Sequence, residues 1–180
     1  MKNVYVVRHC KAEGQEPGAK LTEAGAAQAE QLAQFLIRKD IDSIISSPFE
    51  RAYRTIAPLA EGLGIEVELD ERLVERTLSG SDHPDWRDML MRAYEDLDLS
   101  YEGGESSNAA MDRAVGVVEK ALNSGHRNVV LVSHGNLISL LLKHYDNRIG
   151  FREWEALTNP DVFQLRFIED KPNIRRIWAD

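Results

Sequence analysis

With a single cysteine, Cys10, in 180 residues, the chain cannot form an internal disulfide, and nothing in it argues for an oxidising compartment. The cytoplasm is therefore the expected location. No apolar run approaches the length needed to cross a bilayer, and the run near the N-terminus is too short for a signal peptide, so no membrane association is expected. Positive charge is also scarce: 22 Lys and Arg face 30 Asp and Glu, a formal net charge of −8. That balance repels phosphate backbones at long range and makes nucleic acid a poor partner. If the ligand is nonetheless a phosphate, cationic side chains have to be gathered locally. Internal repeats and low-complexity tails are absent too. His83, His126 and His144 show no metal-ligand spacing, so neither a metal nor another cofactor is expected.

What is present is length for one substantial core, at 43% hydrophobic residues, arranged as alternating strands and helices. Asn3 to Val7 reads as a buried strand, and Thr22 as the cap of a helix with Gly25, Ala29, Leu32 and Leu36 on one face. Asp42 to Ser46 reads as a second strand. Ser47-Pro48 is expected to begin a helix carrying Ala52, Ile56, Leu59 and Leu63, kinked at Pro58. Ile65 to Leu69 alternates apolar and acidic residues, as an edge strand does. A weakly patterned stretch, about 76–104, is expected to form a small lid with a short helix from Trp86 to Tyr94. Ser106 or Ser107 then caps a long helix with Ala110, Ala114, Val117 and Ala121 on one face. Val129 to Val132 is continuously apolar, like a central parallel strand, and Leu137 to Tyr145 reads as a buried helix. The alternation at Phe163, Leu165 and Phe167, a turn through Glu169 to Asn173, and Ile174 to Trp178 suggest a closing antiparallel pair. These elements predict one α/β domain over 1–180, a three-layer α/β/α sandwich with a mostly parallel sheet.

In such a sheet, ligands bind in the crevice beyond the carboxyl ends of the parallel strands. Arg8-His9-Cys10 follows the first strand, and Ser46-Ser47-Pro48 with Arg51 follows the second. Glu75 follows the third, and Ser133-His134-Gly135 the central one. Taken singly, each is an ordinary surface feature: a solvated strand end, a cap, a helix-surface charge, a residue in a charged run. Together they put two arginines, two histidines and a carboxylate at one rim, whereas unrelated placements would scatter them to both edges.

In order and spacing, Arg8-His9-Cys10, Leu21-Thr22-Glu23-Ala24-Gly25, Ser46-Ser47-Pro48 with Arg51-Ala52, Leu73-Val74-Glu75, Gly104-Glu105-Ser106 and Val132-Ser133-His134-Gly135-Asn136 resemble the histidine phosphatase superfamily. The resemblance runs from Met1 to about Leu142. It implies a phosphoglycerate mutase-like fold and metal-independent hydrolysis of a small-molecule phosphate through a phosphohistidine. His9 would be the nucleophile; Arg8, Arg51 and His134 would complete the phosphate pocket, and Glu75 matches the family's proton donor. Lys11, Gln15 and Asn136 are expected to contact substrate, Lys11 through a second anionic group or else facing water. Cys10 stands where the family usually has glycine, which leaves two readings, a packed side chain or a thiol whose modification inhibits.

Rivals remain. A mutase uses the same pocket, but mutases carry a longer loop with aromatic residues after the nucleophile, and 11–20 is short and has none. A cysteine-based phosphatase needs arginine six residues after the cysteine, where this chain has Glu16. A non-catalytic phosphate-binding module is the third reading. Either a monomer or a homodimer is compatible with the sequence.

Overall fold

In the computed structural model, which describes residues 1–179, six strands form one sheet in the order β3-β2-β4-β1-β5-β6. The strands are β1 (Lys2–Arg8), β2 (Ser43–Ser46), β3 (Val67–Leu69), β4 (Asn128–Ser133), β5 (Asp161–Phe167) and β6 (Pro172–Arg176). The first four are mutually parallel, while β5 runs antiparallel to both β1 and β6. The helices are α1 (Glu23–Leu36), α2 (Glu50–Leu63), α3 (Trp86–Glu95), α4 (Ser107–Leu122), α5 (Gly135–Tyr145) and α6 (Phe151–Glu155).

The strands sort their side chains to two cores. Val4 and Val6 of β1 join Val129 and Leu131 of β4 beneath α4 and α5, whereas Tyr5 and Val7 join Val130 and Val132 beneath α1 and α2. A period of two on strands covered on both faces produces this split, and each fully buried aliphatic side chain contributes on the order of 2 kcal/mol. Thr22 caps α1 by accepting from the Gly25 N–H at 3.0 Å, and Ser106 caps α4 through the Ala109 N–H at 3.1 Å. β3 is an edge strand, as its acidic alternation predicts.

Several boundaries differ from expectation for physical reasons. Ser47-Pro48 does not begin α2: the Ser47 hydroxyl accepts from the Phe49 N–H at 3.2 Å, forming a turn, and the helix starts at Glu50. It continues through Pro58 as a single element and closes on Gly64 in the left-handed region, φ 66°. The final turn is tighter than read, so β6 begins at Pro172 and Trp178 leaves the strand to pack edge-on against Phe35. Two elements had no periodic signal to betray them, the five-residue α6 and a 3-10 turn over Glu71–Leu73. Among the described residues no helix is long and apolar enough to cross a membrane.

Candidate active site

Strand register builds the rim. β1 and β4 pair with Arg8 opposite Ser133, and β2 pairs Ser46 with Val132, so the next residues, His9, His134 and Ser47, leave the sheet side by side. The His9 N–H still donates to the Ser133 carbonyl at 3.2 Å, carrying the ladder one step further. The two imidazoles end 5.1 Å apart, centroid to centroid, and both are buried.

Each ring is held. His9 Nδ1 lies 2.7 Å from the Cys10 carbonyl, the backbone acceptor expected for a ring whose Nε2 is to stay free of a proton. Arg51, none of it exposed, donates from Nε toward His9 Nε2 at 3.4 Å and from Nη1 to the Glu16 carbonyl at 2.8 Å. His134 Nε2 lies 2.9 Å from the Ser47 hydroxyl, and its ring packs in a T-shaped arrangement with that of Phe49. Arg8 donates to the Leu157 and Thr158 carbonyls from Nη1, and its guanidinium presses against the start of α5. A Cβ at position 135 would lie 2.9 Å from Arg8 Nε, so only glycine permits that approach. Gly25 has the same role on α1, where a Cβ would come within 2.1 Å of the Lys11 carbonyl.

Glu75 arrives because the Ser133 hydroxyl donates to the Leu73 carbonyl at 2.7 Å, drawing the segment after β3 across the end of β4. Its carboxylate sits on the N-terminus of α5: Oε1 accepts from the Leu137 and Arg76 N–H groups at 2.9 and 2.7 Å, and Oε2 from the Asn136 N–H at 3.0 Å. The first turn of α5 thus presents backbone donors to this carboxylate, while at the start of α2 the Glu50 N–H is taken by the Pro17 carbonyl. Of a carboxylate's roughly four acceptor positions three are filled, and the remaining one is on Oε2.

Four buried polar atoms around this rim have no protein partner: Arg8 Nε, Arg76 Nη1, His134 Nδ1 and Asn136 Oδ1. Buried polar groups are ordinarily paired, so this clustering marks a place for a polar ligand. Beside it opens a cavity of about 670 Å³ walled in part by Gln15, Phe49, Glu75, Arg76, His83 and Trp86.

Of the residues expected at the site, the structure brings His9, His134, Arg8, Arg51, Glu75 and Asn136 together and places Gln15 in the adjoining wall. Lys11 is different. Its carbonyl accepts from the Thr22 N–H and its N–H donates to the Gln28 side chain, which ties its backbone to α1 and leaves the side chain exposed, away from the cavity wall. Unforeseen were Arg76; the place of the exposed His83 in the cavity wall; Thr55, whose hydroxyl accepts from the Cys10 N–H; and Asn159, whose amide donates to the His9 carbonyl at 3.0 Å. Among the described residues no three His, Cys, Asp or Glu side chains converge as a metal site.

Burial sets the electrostatics. Desolvation, with Arg51 and Arg8 nearby, pushes His9 down to about 4, and the same causes together with His9 push His134 well below its usual value. Both rings are neutral at pH 7, as a nucleophile facing an anion requires. Because the folded protein resists protonating His9 while the unfolded chain accepts a proton near 6.5, His9 costs no stability at neutral pH. Stability falls as pH drops from about 6.5 towards 4, with His9 alone accounting for about 3 kcal/mol at the acid end. Urea unfolding at pH 7 and pH 4.5 should show this loss and a smaller one in His9→Gln; equal losses would contradict it.

Burial also decides between the readings of Cys10. The thiol is fully buried and pushed up to about 11, so it packs and is a poor nucleophile. Iodoacetamide should leave the activity of the native protein unchanged over hours; rapid inactivation would restore the reactive reading.

Two planar guanidinium groups and two imidazoles converging where parallel strands end suit a tetrahedral oxyanion, and so define a phosphate-handling site. The profile of the histidine phosphatase superfamily (branch 1) matches residues 4–180. The chain is 30% identical over 158 residues, 79% of this chain and 77% of the relative, to a putative phosphoserine phosphatase 2 of Hydrogenobacter thermophilus. To phosphoserine phosphatase 1 of the same organism it is 33% identical over 156 residues, 74% and 71% of the two chains. The solved structure of a mycobacterial glucosyl-3-phosphoglycerate phosphatase with inorganic phosphate is similar at a TM-score of 0.77 and 27% identity, over 99% of this chain and 96% of that one. The chain belongs to the histidine phosphatase superfamily, branch 1, with the phosphoglycerate mutase-like fold, and is a hydrolase of phosphate monoesters.

Proposed function

We propose that this hydrolase transfers the phosphoryl group of a small monoester to His9 Nε2 and then to water. The observation that carries the reading is the pair of neutral imidazoles, 5.1 Å apart, beside the half-buried Arg8 at the end of β1 and the fully buried Arg51 in the first turn of α2. A neutral nitrogen escapes the repulsion that a phosphate dianion exerts on anionic nucleophiles. With Nδ1–H donating to the Cys10 carbonyl, the lone pair of Nε2 faces the site. As the N–P bond forms and the ester P–O bond breaks, the equatorial oxygens take the donors of Arg8 and Arg51. If the Ser47 hydroxyl donates to His134 Nε2, the ring proton lies on Nδ1, the nitrogen without a protein partner, and serves the same oxygens.

Glu75, protonated through the open position on Oε2, gives its proton to the leaving oxygen. In the second half-reaction it takes one from the water that attacks phosphorus, so His9 is regenerated and inorganic phosphate leaves. Water access favours hydrolysis over isomerisation: Ser81, Asp82, His83 and Trp86 of the cavity wall are exposed, and loop 11–20 supplies only Gln15 and Pro17 to that wall.

For the substrate, the relatives' names point to phosphoserine or a phosphorylated glyceric acid derivative. Arg76 supports that reading: it is 6% exposed, lines the cavity, anchors Nε and Nη2 on the Glu105 carbonyl and keeps Nη1 unpaired, so it can meet a carboxylate. A panel of phosphoserine, 3-phosphoglycerate and sugar phosphates, scored for phosphate release and for isomerisation, tests this. Release from carboxylate-bearing esters is expected, with Arg76→Ala raising their KM about 10-fold or more and that of phenyl phosphate little. Isomerisation without release would overturn the phosphatase reading, and indifference of KM to Arg76 would overturn the carboxylate one.

A further inference from the structure

Arg113, on the second turn of α4, makes contacts that reach well beyond its own helix. Its side chain is 19% exposed, and every one of a guanidinium's five N–H donors has a partner. Nη1 donates to the Arg72 and Val74 carbonyls at 2.7 and 2.8 Å, and Nη2 to the Glu75 carbonyl at 3.4 Å. The remaining two donors form a two-pronged pair with the Glu105 carboxylate, Nε to Oε1 at 2.9 Å and Nη2 to Oε2 at 2.8 Å. Glu105 in turn accepts from the Thr77 N–H at 3.0 Å, and its own backbone N–H donates to the Thr77 carbonyl at 2.9 Å. The backbone from Arg72 to Thr77 is therefore fixed at Arg72, Val74, Glu75 and Thr77 by one guanidinium and its partner carboxylate.

Between those anchors hangs Glu75. The N-terminus of α5 orients its carboxylate, and the Arg113–Glu105 pair sets where its backbone stands. We propose that Arg113, oriented by Glu105, is a positioning residue for proton transfer by Glu75, acting without touching the substrate. Lysine cannot substitute, since a single nitrogen with three donors reaches neither all three carbonyls nor both carboxylate oxygens. A shift of a few tenths of an ångström in Glu75 is enough to weaken proton transfer while Arg8, Arg51 and both histidines, held by other elements, keep their places.

This inference rests on Glu75 as the proton donor, and one experiment separates the two. A series of aryl phosphates of rising phenol pKa, ending in an alkyl phosphate, is assayed for kcat/KM, which reports formation of the phosphohistidine whatever limits kcat. Good leaving groups depart unaided, whereas poor ones need the proton. Glu75→Gln should lose activity increasingly along the series, by roughly 10²-fold or more at the poor end. Arg113→Lys and Glu105→Gln should steepen the same dependence, by about 10-fold at the poor end, with the inhibition constant of inorganic phosphate nearly unchanged. Should Glu75→Gln lose activity evenly, the proton-donor reading fails. Should Glu75→Gln behave as stated while Arg113→Lys and Glu105→Gln lose activity evenly, or weaken phosphate inhibition in step, Arg113 only supports the fold and the positioning role is refuted. Glu105→Gln preserves volume, so it carries the test even if Arg113→Lys proves poorly folded.

Discussion

His9→Ala should fold, bind inorganic phosphate and hydrolyse an aryl phosphate slower by roughly 10⁴-fold or more. The size of the loss follows from what the side chain does: without it no nitrogen stands beside phosphorus, and water has to displace the leaving group directly in a pocket shaped for another attacker. Folding should survive because the backbone ties of residue 9, its N–H to Ser133 and its carbonyl to Asn159, do not involve the ring. The variant should even tolerate mild acid better than wild type, because the ring is pushed down to about 4 and opposes protonation in the folded state. Steady-state kinetics on an aryl phosphate, with phosphate as a competitive inhibitor, measures both parts. A loss below about tenfold would mean that another group attacks phosphorus.

Arg51→Lys should cost about 10³-fold in kcat/KM although charge is retained. The fork of Arg51 serves three neighbours at once, the Glu16 carbonyl, His9 Nε2 and the Phe49 ring, whose centroid lies 5.1 Å from the guanidinium carbon. A lysine ammonium is a point charge that cannot hold the 13–17 loop and also lie flat against an equatorial oxygen pair. Because none of Arg51 is exposed, water cannot enter to replace the lost bonds cheaply. The inhibition constant of inorganic phosphate should rise with the loss of rate. A conservative loss of only two- or threefold would show that net charge at the rim matters and fork geometry does not.

The two histidines were legible from sequence because they sit directly at the ends of strands whose pattern is unmistakable. Once Val4 to Val7 and Val129 to Val132 are recognised as adjacent parallel strands, His9 and His134 must emerge together, because register carries them there. Side chains that reach the site across long sequence distances left no comparable trace. Asn159 follows a five-residue helix with no periodic signature, and its role depends on β5 lying antiparallel to β1, so that Asp161 stands opposite Arg8. Arg113 lies on the polar margin of a clearly amphipathic helix, where an arginine is ordinarily solvated. Only the chain path after β3 turns its guanidinium into an anchor for three carbonyls.

Ser47-Pro48 misled because serine followed by proline is a good helix opening, and the competing use of the hydroxyl, by the Phe49 N–H and His134, is tertiary. Cys10 was ambiguous for a similar reason. Its sequence neighbour His9 suggested a reactive pair, yet the chain leaves β1 with the imidazole turned towards the rim and the thiol buried under Thr55. Burial, which no local pattern records, settled which of the two side chains faces the ligand.

The most direct test of the central claim is to trap the phosphoenzyme. Quenching turnover of a ³²P-labelled substrate within milliseconds and mapping the label should place it on His9, stable to alkali and lost in acid, in an amount approaching one per chain when phosphorylation is faster than hydrolysis. A label absent at every quench time, or found on a carboxylate, a hydroxyl or His134, would contradict the account.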